Sequence, residues 1–267
     1  VVLGALFQLG VFNANNFAPK APPGSCQVFR PYGPGTTQFI NLEGICSGEL
    51  PQYVASFNGG SNTKISTNVI LVSNTIQSFT ISTWIYVPPS VTTNQNMVIV
   101  GEPNDAGTGV FALAFRPYPN LYFGIECAGN DGATTAVQPG GWYNIVGVYK
   151  SGFGSTYVNG VNKTSGRFSL NQNSVFSMGN GGAGCSAAPQ PFTGYMSNVQ
   201  LYNTSLSANE IQALYLEGIG GAPIDLQHLV GWWPLNGDAN DYSGNGNNGV
   251  PNGVTFVSNW WQGYTPP

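Results

Sequence analysis

Apolar and polar positions alternate with a period of two along SFTISTWIYVPPS. Phe79, Ile81, Thr83, Ile85 and Val87 fall on one side, Thr80, Ser82, Trp84 and Tyr86 on the other. That period marks a β-strand. NMVIVGE, VFALAFRP, NLYFGIEC, GGWYNIVGVYK, STYVNGVNKT and GYMSNVQLYN follow as further short runs, separated by Asn, Gly and Pro. Asn159-Gly160, set between Val158 and Val161, predicts a tight hairpin, because a type I′ turn needs positive φ at both central residues. SLSANEIQALYLEG alone reads as helix. Ser207 caps it, Glu210 completes a capping box, Leu206 and Ile211 sit as a hydrophobic staple, and Gly218 supplies a left-handed stop. One short helix among about a dozen strands predicts an all-β sandwich or barrel.

The N-terminal run VVLGALFQLGVF breaks this pattern. It is too short to span a bilayer, which needs about 20 apolar residues. It lacks the basic start and small-residue cleavage site of an intact signal peptide. The expectation is the tail of a longer hydrophobic helix, removed or not included upstream, that ends at the Asn13–Asn16 cluster; membrane contact would come only through that missing or truncated helix. As a helix, Val1, Val2, Leu3, Leu6, Phe7, Leu9, Val11 and Phe12 spread apolar surface nearly all round, which demands burial on nearly all sides. Copies of the chain would supply that cover, predicting a homopolymer. Residues 1–17 are thus expected to be an assembly or anchor segment, and 18–267 one globular domain.

Composition narrows the setting. Charged residues make up 7% of the chain and its net charge is −4, so there is neither a basic footprint for nucleic acid nor a polybasic membrane patch. Four cysteines without metal-type spacing read as two disulfides and an oxidising, extracellular setting. Of three formal pairings the sequential one, Cys26–Cys46 and Cys127–Cys185, is preferred because each pair brackets its own segment. It would make 18–51 a disulfide-closed loop. Asn162 (NKT) and Asn203 (NTS) are the N-glycosylation acceptors, one after the hairpin and one before the helix cap.

FTISTWIYV, WYNIVGVY, the TYVNGV hairpin, FTGYMSNVQLYN and LSANEIQALY occur in the order found in laminin-G-like domains, and the chain resembles that branch of the concanavalin A-like jelly rolls. LVGWWPLNGDANDYSGNGNNGVPNGVTF looks like the opening strands of the same domain type, here placed last. This implies a circularly permuted jelly roll in which 229–267 complete the sandwich. The N-terminal run leading into a cysteine-closed loop also resembles archaeal type IV pilin-like surface proteins, although their processing motif and early glutamate are absent.

The chemistry is sparse. GNGNNG and GNGGAG match a nucleotide-loop pattern, but neither lies in a βαβ unit. Asp238, Asp241 and Asn245 offer hard oxygens for calcium, a cofactor that the resemblance makes plausible; the competing reading folds Asp241, Ser243 and Asn245 back as turns that position Trp232 and Trp233. A retaining glycosidase needs two carboxyls on one face, about 5–5.5 Å apart. Glu102/Asp105 and Glu126/Asp131 have odd spacings, which on a strand point to opposite faces. With one histidine, no GxSxG and no free thiol, no Ser or Cys nucleophile is supported. The expectation is a non-catalytic extracellular surface or filament subunit with an adhesive jelly roll, its outside partner a glycan or cell-surface ligand. A secreted carbohydrate-binding module is the alternative and a glucanase-like enzyme the third reading. Trp142, Trp232, Trp233, Trp260 and Trp261 are the candidate sugar platforms, with strand alternation placing at least some of them inside the sandwich as core instead.

Overall fold

The computed structural model describes residues 25–31, 37–43, 50–71, 76–91, 95–101, 111–125, 133–168, 170, 174–181 and 189–267. The chain divides into two compact units, Val1–Ser47 and Gly48–Pro267. In the first, β1 (Ser25–Pro31) and β2 (Thr37–Glu43) form an antiparallel ribbon. The side chains of this ribbon, Cys26 among them, lie outside the described residues, as do Cys46, Cys127, Cys185 and the whole apolar run from Val1 to Phe12.

The second unit is a jelly-roll sandwich. Its strands in chain order are β3 (Val54–Asn58), β4 (Lys64–Leu71), β5 (Ser78–Tyr86), β6 (Met97–Gly101), β7 (Phe111–Phe115), β8 (Asn120–Ile125), β9 (Ala133–Ala136) and β10 (Trp142–Lys150). Then come β11 (Phe153–Val158), β12 (Val161–Arg167), β13 (Ser174–Met178), β14 (Asn180–Gly181), β15 (Gln190–Pro191) and β16 (Thr193–Tyr202), the helix α1 (Ala208–Leu216), and β17 (Leu229–Trp233), β18 (Val250–Asn252) and β19 (Thr255–Val257). The first sheet has eight strands in the order β12-β11-β10-β5-β16-β3-β19, with β17 also on β16; the second has seven, β18-β4-β13-β6-β7-β8-β9. The last three strands therefore enter both sheets: β17 pairs with β16, β18 with β4, and β19 with β3.

Local sequence explains the joints. Asn159 and Gly160 have φ of 51° and 74°, closing the expected hairpin between Val158 and Val161. The Asn159 side chain also accepts from the Asn144 N–H at 3.0 Å, tying the turn to β10. Ser207 caps α1: its Oγ accepts from the Glu210 N–H while Glu210 Oε2 accepts from the Ser207 N–H at 2.7 Å. Leu206 and Ile211 are both buried, and Gly218 ends the helix at φ 79°.

Phe79, Ile81, Ile85, Ile145, Met196 and Leu201 from the first sheet meet Ile65, Val69, Phe111, Leu113, Phe115 and Phe123 from the second in one buried core. The alternate residues of β5 are not left in water. Trp84 and Tyr86 join Val54, Trp142, Ile219 and Trp260 in a second buried cluster on the outer face of the first sheet, with Tyr215 of α1 and Tyr264 packed against it. The first sheet is thus buried on both faces there, and α1 with the C-terminal turn is its outer cover.

Candidate functional site

Residues 234–249 connect β17 to β18 without regular structure, and their polar side chains hold the backbone instead. Asp241 Oδ1 accepts from the N–H groups of Trp232 and Ser243, both at 2.9 Å. Its Oδ2 accepts from Ser243 Oγ at 2.9 Å and the Asn247 N–H at 2.8 Å. Asp238 Oδ1 accepts from the Asn240 N–H, and its Oδ2 from Asn240 Nδ2 and the Tyr242 hydroxyl, each at 3.0 Å. Burial and that bond to Asp238 push the Tyr242 pKa up. Asn245 Nδ2 donates to the carbonyls of Leu229 and Val230, Asn247 Nδ2 to Val230 O, and Trp233 Nε1 to Asn247 O. Gly244 and Gly246 take φ of 89° and 75°, which accounts for the glycines of GNGNNG as turn residues.

Calcium takes six to eight oxygen ligands. Here every carboxylate oxygen of Asp238 and Asp241 already accepts from the protein, and Asn245 turns its amide donor inward. Among the described residues no group of three or more His, Cys, Asp or Glu side chains is arranged to hold a metal ion. The residues suit the turn better than the ion: they sew the loop to β17 and so place Trp232 and Trp233.

Those two tryptophans belong to the core. Trp233 stacks on Phe176 at 5.5 Å, and Trp232 Nε1 donates to Asn198 Oδ1 at 2.8 Å. Asn198 is a buried pin in the middle of β16, at φ 52°, where the register with β5 shifts. Its Nδ2 donates to Gly221 O at 2.8 Å and its N–H to Pro234 O at 3.0 Å, so it joins β16 to the segment after α1 and to the end of β17. The asparagine inside the apolar run YMSNVQLY was its only signal in the sequence.

Of six tryptophans, five are at most 5% exposed and Trp261 is 61% exposed. Four of the five candidate sugar platforms, Trp142, Trp232, Trp233 and Trp260, are therefore structural. Trp261 stands on a braced turn. Its neighbour Trp260 donates Nε1 to Pro51 O at 2.9 Å and accepts from Trp142 Nε1 at 3.0 Å. Gly263, at φ 76°, accepts from the Trp142 N–H at 3.1 Å, and Tyr264 closes the turn by donating its N–H to Trp261 O at 3.1 Å. The Tyr264 hydroxyl accepts from the Ile219 N–H at 3.3 Å, and its ring packs edge-on against Trp84 and Trp260. The exposed indole thus projects from a segment held on both sides.

The remaining candidates are dispersed. Glu102, Asp105, Glu126 and Asp131 lie outside the described residues. His228 pairs with Asp225 at 2.7 Å, closing the turn before β17. Asn162 and Asn203 are both exposed, as glycan acceptors require. Among the described residues no helix is long and apolar enough to cross a membrane.

A family model described as the concanavalin A-like lectin/glucanases superfamily, of laminin G type, matches residues 58–212, more than half of the chain. The chain belongs to that superfamily. As a concanavalin A-like domain it carries β17 to β19 beyond the matched segment: β17 and β18 pair with β16 and β4 inside it, and β19 pairs with β3 at its leading edge. Two of the solved structures that share the fold illustrate the likeness. One is a candidate carbohydrate-binding protein of Bacteroides ovatus, 19% identical, with a TM-score of 0.59 over 83% of this chain and 67% of that one. The other is a heptameric SAP-like pentraxin of Limulus polyphemus, 13% identical, with a TM-score of 0.53 over 79% and 98%. No curated protein sequence matches the chain.

Proposed function

We propose that the concanavalin A-like sandwich is an extracellular, non-catalytic glycan-recognition module. The observation that carries this is Trp261. Hiding such a side chain contributes about 1.5–3 kcal/mol, and the fold hides the other five tryptophans. An indole kept in water on a braced turn is preorganised to meet a flat apolar ring face, which in a surface nearly free of charge suits a neutral sugar. Carbohydrate binding ascribed to the Bacteroides ovatus protein supports the same class of ligand. Binding of the full chain to a panel of neutral polysaccharides tests it. Trp261→Ala should lower affinity roughly tenfold or more, as loss of an aromatic anchor does, with an unchanged melting temperature. Equal binding by the variant would refute the role.

A second reading, compatible with the first, makes the module the head of a self-assembling surface subunit. On the outer face of the second sheet Ile70 and Val175 are exposed cross-strand partners, and Val250 is exposed four residues further along β4, opposite Ser66. These exposed apolar side chains, together with the apolar composition of the N-terminal run, support contact between copies of the chain. Deleting Val1–Phe12 should yield a soluble monomer from material that otherwise polymerises; filaments from the shortened chain would sink this reading.

A further inference from the structure

The β10–β11 hairpin closes through Ser151 and Gly152, with φ of 47° and 86°, a second two-residue turn of the kind that matches strand twist. Ser151 donates its N–H to Gln77 O at 2.8 Å, and Gly152 O accepts from the Phe168 N–H at 3.1 Å. The turn presents Lys150 and Phe153 as cross-strand partners, and Arg167 of the edge strand β12 partners Phe153 in turn. Partners across strands share a face. Lys150 has the parity of Trp142, so this is the outer face of the first sheet. Eight steps of about 3.3 Å along β10 put the row roughly 26 Å from Trp142, at the end away from Trp261.

All three side chains are exposed, Phe153 by 48%. The Arg167 guanidinium carbon lies 4.7 Å from the centre of the Phe153 ring. That cation–π contact holds the guanidinium in place, while its N–H donors take no partner among the described residues. In the next row the hydroxyls of Ser155 and Ser165 meet at 2.8 Å. The chain has seven Lys and Arg, and two of them, Lys150 and Arg167, flank Phe153 in this row. Among the described residues no carboxylate pairs with Lys150 or Arg167, and the sequence running on at 72–75 and 169–173 holds no acidic residue.

We infer that Lys150, Phe153 and Arg167 form a second, separate site for an acidic glycan, whose carboxylate or sulfate groups meet the two cations flanking the aromatic ring. A guanidinium donates two parallel hydrogen bonds to such a group, and a pre-stacked one loses less freedom on binding. Nucleic acid fits worse: two cations on a chain of net charge −4 cannot match its phosphate density. The inference shares the ligand class of the glycan reading but none of the residues around Trp261.

The test is titration of the full chain with polygalacturonate, dextran sulfate, neutral dextran and a DNA duplex at low and physiological salt. One or both acidic polysaccharides should bind and weaken with salt, and which of them binds tells carboxylate from sulfate recognition. The double variant Lys150→Gln/Arg167→Gln should lose roughly tenfold or more in that affinity at an unchanged melting temperature. Arg167→Lys should fall between, because it keeps the charge without the fork. The inference is overturned if neither acidic polymer binds, if the double variant binds as the parent does, or if the DNA duplex binds as tightly. Trp261→Ala should leave acidic-glycan binding intact, and the double variant should leave neutral-glycan binding intact, so each reading can fail alone.

Discussion

Asp241→Ala removes the acceptor for four hydrogen bonds in the loop after β17. A hydrogen bond to a charged group is worth about 1.5–3 kcal/mol, and a simple sum would overshoot. The two bonds from Ser243 close a local turn that water partly replaces. The N–H groups of Trp232 and Asn247 lose more, since Trp232 is buried and Asn247 half-buried. Counting chiefly those two gives a loss of about 3–4 kcal/mol. For a unit of this size that lowers the melting temperature by about 6–16 °C. Asp241→Asn keeps one oxygen but sets an amide donor against the other two donors, so about 2 kcal/mol is expected. Urea unfolding followed by tryptophan fluorescence measures both, because Trp232 and Trp233 flank the lesion. The measurement should be run in excess chelator and again in millimolar calcium. The turn argument requires the same loss in both. A loss under about 1 kcal/mol, or one that appears only with calcium present, would refute it and restore the metal reading of Asp238, Asp241 and Asn245.

Trp260→Ala deletes a buried ring that packs on Trp142 and Tyr264 and breaks the bond to Pro51, so a loss of about 3–5 kcal/mol should appear in the same urea assay. Burial raises the pKa of Tyr118, Tyr242 and Tyr264 above the ordinary 10.0. The unfolded chain then releases protons first, so their stabilisation holds below pH 10 and is lost as pH rises through the folded pKa values; a melting temperature that stays level from pH 9 to 11.5 would contradict this. Non-reducing peptide maps of native material should pair Cys26 with Cys46 and Cys127 with Cys185, and its intact mass should exceed the bare chain through a glycan on Asn162, Asn203 or both.

What could be read in the sequence was local. Asn159-Gly160 demands positive φ wherever it occurs, and Ser207 with Glu210 closes a capping box within four residues, so both were legible without tertiary context. Period two in β5 gave the sheet, and it correctly separated Phe79 and Ile81 from Trp84 and Tyr86. It could not say what covers the second set. The cover is Trp260 and Tyr264, far along the chain, and no local pattern encodes that meeting. For the same reason four of the five tryptophans proposed as platforms turned out to be structural.

The two proposed sites were hidden in different ways. Trp260 and Trp261 are adjacent and chemically identical, and only the tertiary bonds to Pro51 and Trp142 mark which one is held inward while the other stays in water. Lys150 and Arg167 are too far apart in sequence to look like a cluster; they flank one ring because two successive hairpins bring β10, β11 and β12 into register. A binding surface on a sheet is written perpendicular to the chain, as a row across strands. A scan along the sequence meets such a row one residue at a time, and in a chain so poor in charge each basic residue passes for an isolated solvated group. Register turns those isolated groups into neighbours, as it does for Phe153 with Lys150 and Arg167.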